Sequence, residues 1–246
     1  MQSNALKVNN YASLQNIGVI TYAIEKVMNR PDYLPGLIVV RGPSGYGKTF
    51  AASYAAIEYG AYYVSAKSTW TKKTFLQAIL NEMSVPAEKT VGAMMDQVCS
   101  QLSISNRPLI IDEFDYCVES KALTDMTRDI YDGSQAAIIL IGEERLPNKL
   151  EKIERFHNRI LDWINAVPAN FDDAVKLRAM YCKKVEIADD LLKKVWEKSE
   201  GRVRRIVVNL AKIEDDMLAE GKSRVDLAGW GKRELITGNA PLIRSI

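Results

Sequence analysis

The chain of 246 residues is long enough to bury a full hydrophobic core, either as one large domain or as an α/β domain with a small appendage. Its 33 Lys and Arg residues nearly balance its 31 Asp and Glu residues, which excludes an overall basic field, so contacts with nucleic acid have to come from local patches. Three scattered cysteines and one histidine argue against a disulfide framework or a zinc site, and no apolar run approaches the roughly 18 residues that span a bilayer, so we expect a cytoplasmic protein without a membrane partner.

The first predicted elements are an amphipathic helix over residues 14–28 and a buried strand over Leu37–Val40. The strand leads into a glycine-rich loop, and a helix-favouring run from Phe50 follows.

The loop reads Gly42-Pro43-Ser44-Gly45-Tyr46-Gly47-Lys48-Thr49. It fits the phosphate-loop pattern G-x-x-x-x-G-K-[ST] in the required strand-to-helix context; the alternative is a chance glycine-rich turn. In such a loop the backbone N–H groups bind phosphate, Lys48 reaches the outer phosphates and the Thr49 hydroxyl holds magnesium. We expect residues 42–50 to bind a nucleotide.

A second strand is predicted over Ala61–Val64. A polar connection, residues 65–70, leads from it into a helix with Phe75 and Ile79 on its apolar face. Another helix is predicted over Val91–Leu102.

A third, apolar strand ends in two acids, Asp112 and Glu113. Ligands collect at the carboxyl ends of strands in open α/β sheets, so an acid delivered there suits a magnesium site opposite a phosphate loop. We interpret Asp112 as a direct or water-mediated magnesium ligand and Glu113 as the group that orients or deprotonates the attacking water. The alternative is a buried strand followed by a solvated acidic loop containing both acids and Asp115.

A fourth strand is predicted over Ala137–Ile141 and a weaker fifth over Ile160–Val167, with a basic helix containing Arg155 and Arg159 between them. Strands that alternate with helices predict an α/β fold with a parallel five-stranded sheet flanked by helices. Beyond Asn170 only helical patterns continue, so we expect an α/β nucleotide-binding domain over residues 1–169, an all-helical subdomain over 170–236 and a tail over 237–246.

The order of these motifs resembles that of AAA+ ATPases: the phosphate loop, then Leu109–Glu113, then Gly201-Arg202-Val203-Arg204 opening a lid helix. More narrowly, Val39–Thr49 and Trp163–Pro168 resemble the target-selecting ATPases of DNA transposition, a group that includes the B protein of Mu-like transposable bacteriophages. The resemblance implies an AAA+ P-loop fold with a helical lid, ATP and Mg²⁺ as cofactors, and, for a phage protein, the cytoplasm of a bacterial host. Because the loop begins at Gly42, we expect no counterpart of the N-terminal helical DNA-binding domain of the phage protein.

The resemblance also implies roles for three arginines. Arg204 becomes the lid arginine that senses the γ-phosphate, and the alternative is a solvated basic face. Arg159, with Arg155 as the second candidate, becomes an arginine finger that acts on ATP held by a neighbouring subunit; the alternative is an ordinary surface arginine. After the fourth strand the family usually has a polar residue, whereas this chain has Glu143, which brings negative charge near phosphate.

For DNA, the resemblance points to the loop after the second strand, which lines the central channel in assemblies of the family. The candidate contacts are Lys67, Ser68, Thr69, Trp70, Lys72, Lys73 and, more weakly, Lys121. Lysines there would neutralise phosphates without reading bases. An aromatic residue at a helix start is also a common packing residue.

These features predict an ATP-dependent, non-sequence-specific DNA-binding ATPase, stimulated by DNA, that forms a ring or helical filament of identical subunits on duplex DNA and delivers the target to a transposase. A replication-initiator or helicase-loader ATPase is the alternative within the same class. A small-molecule P-loop kinase is a third hypothesis, which the acidic pair and the Gly-x-x-Arg lid pattern disfavour.

Overall fold

The structure is a computed structural model that describes residues 14–238. Two compact units are present. The α/β unit comprises Asn16–Ser44 and Lys48–Ala166. The helical unit comprises the described residues from Val167 onward together with Leu14, Gln15 and Gly45–Gly47.

The α/β unit is built on one parallel five-stranded sheet, as predicted. The strands are β1 (Leu37–Arg41), β2 (Tyr62–Ser65), β3 (Leu109–Asp112), β4 (Ile138–Gly142) and β5 (Ile160–Asn165). Their spatial order is β2-β3-β4-β1-β5, and every pairing is parallel. The apolar runs of β1, β3 and β4 are buried because helices cover both faces of a parallel sheet. The carboxyl ends of β1 and β3 therefore present the phosphate loop and the acidic pair at the same edge of the sheet.

Eight helices flank the sheet in the described part of the chain. They are α1 (Gln15–Met28), α2 (Lys48–Glu58), α3 (Lys72–Glu82), α4 (Val91–Ser105), α5 (Asp115–Val118), α6 (Lys121–Ser134), α7 (Leu146–Leu150) and α8 (Glu154–His157). The sequence analysis did not predict α6, although Leu123, Met126 and Ile130 on it are buried. Threonines interrupt its apolar pattern, and they are compatible with burial because their hydroxyls bond to helix carbonyls, as Thr127 does to Leu123 O at 2.9 Å.

Arg155 and Arg159 do not share a helix, contrary to the prediction. Helix α8 ends at His157, and Arg159 lies in the turn that follows, where its N–H donates to Phe156 O at 3.0 Å. The Arg159 carbonyl accepts from the Leu37 N–H at the beginning of β1. Arg159 is therefore at the amino end of the strands, opposite to the edge that carries the phosphate loop.

The helical unit contains α9 (Phe171–Tyr181), α10 (Asp189–Ser199), α11 (Val203–Ala219) and α12 (Leu227–Trp230). Asn170 caps α9 in a reciprocal arrangement with Asp173, as its sequence spacing indicates. The expectation of an all-helical subdomain was wrong in one respect. Two short strands, β6 (Glu186–Ile187) and β7 (Arg224–Val225), pair in parallel.

Asn209 of α11 fixes the last described stretch of the chain. Its side chain donates to Ile236 O at 2.9 Å and accepts from the Ile236 N–H at 2.7 Å. Most of the predicted tail, from residue 239 onward, lies outside the described residues. Between residues 14 and 238, no helix is both long enough and apolar enough to cross a membrane.

Candidate functional site

Lys48 is the first residue of α2, directly after the phosphate loop that follows β1. Its ammonium donates to the loop carbonyls of Gly42 at 2.7 Å and Pro43 at 3.0 Å. Burial lowers the pKa of Lys48, and nearby carboxylates, Asp112 and Glu113 above all, oppose that effect. The Lys48 ammonium thus lies between the loop backbone and the acids at the end of β3. A bound anion would replace the Gly42 and Pro43 carbonyls as its partner.

Gly42 explains part of the loop geometry. A Cβ at this position would lie 2.9 Å from the Cβ of Ala166, closer than side chains approach each other, so any other residue would displace the loop or the chain beyond β5.

The glycines at the tip of the loop, Gly45 and Gly47, have φ values of +86° and +83°, a conformation that glycine adopts without strain. By their contacts they belong to the helical unit. The Arg204 N–H donates to Gly45 O at 3.2 Å, and a Cβ on Gly47 would lie 3.3 Å from a methyl group of Val203. Arg204 itself has an exposed side chain. The first turn of α11 is therefore built against the tip of the phosphate loop.

Asp112 ends β3 and is only 2% exposed. One carboxylate oxygen accepts from the Tyr63 hydroxyl at 2.9 Å, and the other accepts from the Glu113 N–H at 2.8 Å. Burial, followed by the negative charge of Asp112, raises the pKa of the Tyr63 hydroxyl, which keeps it protonated as a donor. Tyr63 was missed by the sequence analysis, which assigned it only to a strand.

Glu113 adopts φ +54°, the left-handed region that is costly for a residue with a side chain. Burial raises its pKa, the charge of Asp112 adds to that effect, and Lys48 opposes it. A strained, partly desolvated carboxyl group facing a lysine is the type of group that acts as a base near a phosphate.

The alternative of a solvated acidic loop does not hold, because Asp115 is buried as well, at 7% exposure. One of its oxygens accepts from the Glu143 N–H at 2.6 Å, and the other accepts from Lys149 at 3.1 Å. A Cβ on Gly142 would overlap the same carboxylate. Asp115 therefore joins the loop after β3 to the loop after β4 and to α7, a role that no local sequence signal indicated.

The donor set of this edge fits a magnesium–nucleotide complex. The hydroxyl of Thr49 and the carboxylate of Asp112 are hard oxygen ligands, which Mg²⁺ prefers. Within residues 14–238, no three His, Cys, Asp or Glu side chains cluster so as to hold a metal without help.

The two candidate finger arginines differ in their surroundings. Arg159 forms a fork with Asp132, with both N–O distances at 2.9 Å, and also donates to Arg155 O at 2.8 Å. Arg155 lies on α8 and is exposed. Among the described residues, no acidic side chain forms an ion pair with it.

The predicted DNA-contacting residues divide into two groups. Exposed polar residues are Lys67, Ser68, Thr69, Lys72, Lys73 and Lys121. Trp70 is partly buried, with its ring centroid 5.4 Å from that of Phe75 in the core. Trp70 thus packs on the α/β unit and orders the loop, leaving the lysines as the groups available to phosphate. Lys121 stands apart from the loop, at the start of α6.

The fold of this chain is similar to that of several known proteins. Residues 32–150 match the family model described as an AAA domain. Cdc6p from Pyrobaculum aerophilum superposes with a TM-score of 0.64 at 11% identity, over 86% of this chain and 63% of that one. The RuvB Holliday junction branch migration motor from Thermotoga maritima gives 0.58 at 18% identity, over 86% and 65%. The Orc1 protein of Aeropyrum pernix, solved in complex with DNA, gives 0.60 at 18% identity, over 85% and 61%.

This chain spans less than two thirds of each of those three proteins. A comparison with curated proteins gave no match. The predicted AAA+ P-loop fold is confirmed, and residues 32–150 are similar to the AAA domain model. The narrower resemblance to transposition ATPases stays a prediction.

Proposed function

We propose that this protein is a DNA-binding ATPase that assembles on duplex DNA when it holds ATP. The observation that carries the proposal is the meeting of Lys48, the buried Asp112 and the strained Glu113 at one edge of the sheet. A phosphate loop alone binds many nucleotides, but a carboxyl group of raised pKa beside it adds the means to activate water.

In the proposed reaction, bound Mg²⁺ would neutralise charge on the outer phosphates of ATP. Lys48 exchanges its contacts with Gly42 and Pro43 for phosphate oxygens. Thr49 and Asp112 supply oxygen donors to the metal. Glu113 would orient a water molecule and accept its proton, and the Gly-x-x-Arg resemblance assigns Arg204 to sense the outer phosphate.

We assign the arginine finger to Arg155 in preference to Arg159. An arginine finger extends from its own subunit to ATP on a neighbouring subunit, so its guanidinium must not be held by partners in its own subunit. The Arg159 guanidinium is hydrogen-bonded to Asp132 and to the Arg155 carbonyl, whereas the Arg155 side chain is exposed on α8. ATP then acts as an assembly switch, because the nucleotide joins adjacent subunits and its hydrolysis loosens them.

The proposed DNA contacts are the lysines that follow β2. Lys67 begins the turn that the Trp70 N–H closes, and Lys72 and Lys73 begin α3, so three exposed ammonium groups lie within seven residues. Such groups bind phosphates of any sequence, and the affinity falls as salt rises.

The test is ATP-dependent assembly on duplex DNA, measured by light scattering, together with DNA-stimulated ATP hydrolysis. A variant with Lys67, Lys72 and Lys73 replaced by alanine should weaken binding equally for unrelated sequences and flatten the salt dependence. The matched control replaces three exposed lysines of α10, Lys193, Lys194 and Lys198. If the control variant loses as much affinity as the loop variant, or if assembly ignores ATP, the proposal is wrong.

Two kinds of protein are candidates for the partner of this ATPase. The resemblance of the phosphate-loop region to target-selecting ATPases favours delivery of target DNA to a transposase. Similarity of fold to Cdc6p and Orc1 favours the second candidate, a replication-initiator type ATPase. Retention of a purified transposase or of a replicative helicase on the ATP-bound protein distinguishes the two.

A further inference from the structure

The hydroxyl of Tyr63 makes a contact that the phosphate-loop chemistry does not explain. It donates to Asp112 at 2.9 Å, and the only other hydrogen bond to that carboxylate among the described residues comes from the adjacent Glu113 N–H. Two donors on two different oxygens fix both the position and the plane of the carboxylate.

Strand register explains how Tyr63 reaches this position. In the pairing of β2 with β3, Tyr63 lies opposite Ile110 and Ser65 lies opposite Asp112. Side chains two residues apart on a strand share a face, so Tyr63 and Asp112 are diagonal neighbours on one face of the sheet. The length of a tyrosine side chain spans that diagonal.

Tyr63 lies on the face of β2 opposite to Tyr62 and Val64, which belong to the hydrophobic core. It is half-buried and lines an open cavity of about 390 Å³ with Ser53, Ala56 and Ile57 of α2. Its ring packs beside α2, and its hydroxyl group reaches Asp112.

Tyr63 also lies beside the first turns of α2. The Ser53 hydroxyl donates to Thr49 O at 2.9 Å, one helical turn back, and Ser53 lines the same cavity as Tyr63. Tyr63 thus lies next to α2, which carries Thr49, and to β3, which carries Asp112.

We infer that Tyr63 is a positioning residue that orients Asp112 toward the magnesium ion of a bound nucleotide; this inference rests on the proposed function. Partners behind a metal ligand fix its orientation, and their loss lowers metal affinity by about ten- to a hundredfold. Tyr63 does not touch the nucleotide in this proposal, so metal-free nucleotide binding should not depend on it.

The experiment compares Tyr63→Phe with Tyr59→Phe in the full chain. The control removes another tyrosine hydroxyl bound to a carboxylate, since Tyr59 donates to Glu25 at 2.7 Å just beyond the end of α2. Binding of a fluorescent ATP analogue is measured first in EDTA and then at increasing Mg²⁺ concentration. Binding of Mn²⁺ in the presence of ATP is followed by electron paramagnetic resonance. The melting temperature of each nucleotide-free protein is recorded as well.

The expected result is a half-saturating Mg²⁺ concentration raised about tenfold in Tyr63→Phe, with a parallel loss of Mn²⁺ affinity. Affinity in EDTA and melting temperature should match those of Tyr59→Phe. An unchanged Mg²⁺ requirement, or an equal loss of affinity with and without metal, would overturn the role of Tyr63 while leaving the proposed function intact. If the wild-type protein binds no nucleotide, or binds it without regard to Mg²⁺, both proposals fail.

Discussion

Replacing Arg155 and Arg159 one at a time by alanine should separate a trans-acting arginine from a structural one. Arg159→Ala removes the fork to Asp132 and the bond to Arg155 O. The two partners are 32% and 39% exposed, so solvent screens the pair and its value lies near the top of the 0.2–1 kcal/mol range for surface pairs, about 1 kcal/mol. For a chain of this size, that loss lowers the melting temperature by about 2–4 °C. Asp132→Asn removes the same fork, so its melting temperature should fall to a similar extent, and the two substitutions should not add.

Arg155→Ala should behave in the opposite way. An exposed side chain without an ion pair in the described structure contributes less than about 0.5 kcal/mol, so the melting temperature should stay within about 2 °C of wild type. Hydrolysis should fall by about a thousandfold if this guanidinium stabilises the transition state on a neighbouring subunit.

Mixing subunits provides the decisive assay. Arg155→Ala keeps an intact nucleotide site, and Lys48→Ala keeps an intact Arg155, so neither protein should hydrolyse ATP alone. An equal mixture should recover activity at the interfaces where an intact nucleotide site meets an intact Arg155 in a head-to-tail assembly. If Arg159→Ala abolishes hydrolysis without lowering the melting temperature, and Arg155→Ala leaves hydrolysis intact, Arg159 is the finger and the assignment made from its ion pair is refuted.

Three further substitutions test the site itself. Lys48→Ala should abolish ATP binding and ATP-dependent light scattering on DNA, and persistence of either would contradict the phosphate-loop assignment. Glu113→Gln should bind ATP but lower hydrolysis by about a hundredfold or more, trapping the assembled form; an ATP-loaded variant that stays monomeric on DNA would count against the switch. Gly142→Ala should lower the free energy of unfolding by about 1–3 kcal/mol in a denaturant titration, because its methyl group would overlap the buried Asp115 carboxylate. Gly18→Ala, where a Cβ meets nothing within 4 Å, is its control and should be no less stable than wild type.

The sequence was sufficient to predict the phosphate loop and the acidic pair because both depend on short-range patterns. Glycines at fixed spacing allow the positive φ values of the loop, and an apolar strand that ends in Asp112 has its carboxyl end at the ligand-binding edge. The five-stranded parallel sheet followed from the alternation of strands and helices for the same reason.

The partners of these residues were not predictable from local patterns. Asp132 is 27 residues from Arg159, and α6, which carries it, was not recognised as a helix. Tyr63 and Asp112 are 49 residues apart and become neighbours only through the register of β2 on β3. Contacts of this kind depend on how distant strands and helices pair in the fold, and a short stretch of sequence does not show that pairing.

Glu143 is the position where the chain departs most from the pattern it resembles, and the structure shows how the departure is accommodated. The Glu143 backbone, not its side chain, is fixed by Asp115, so the carboxylate remains exposed. Its charge opposes the lowering of the Lys48 pKa and raises that of Glu113. A negative group at this position would weaken attraction for an outer phosphate and disfavours the ionised form of Glu113, and we expect both effects to slow hydrolysis. Slow hydrolysis would prolong the ATP-bound state, and the proposed assembly switch requires that state to last.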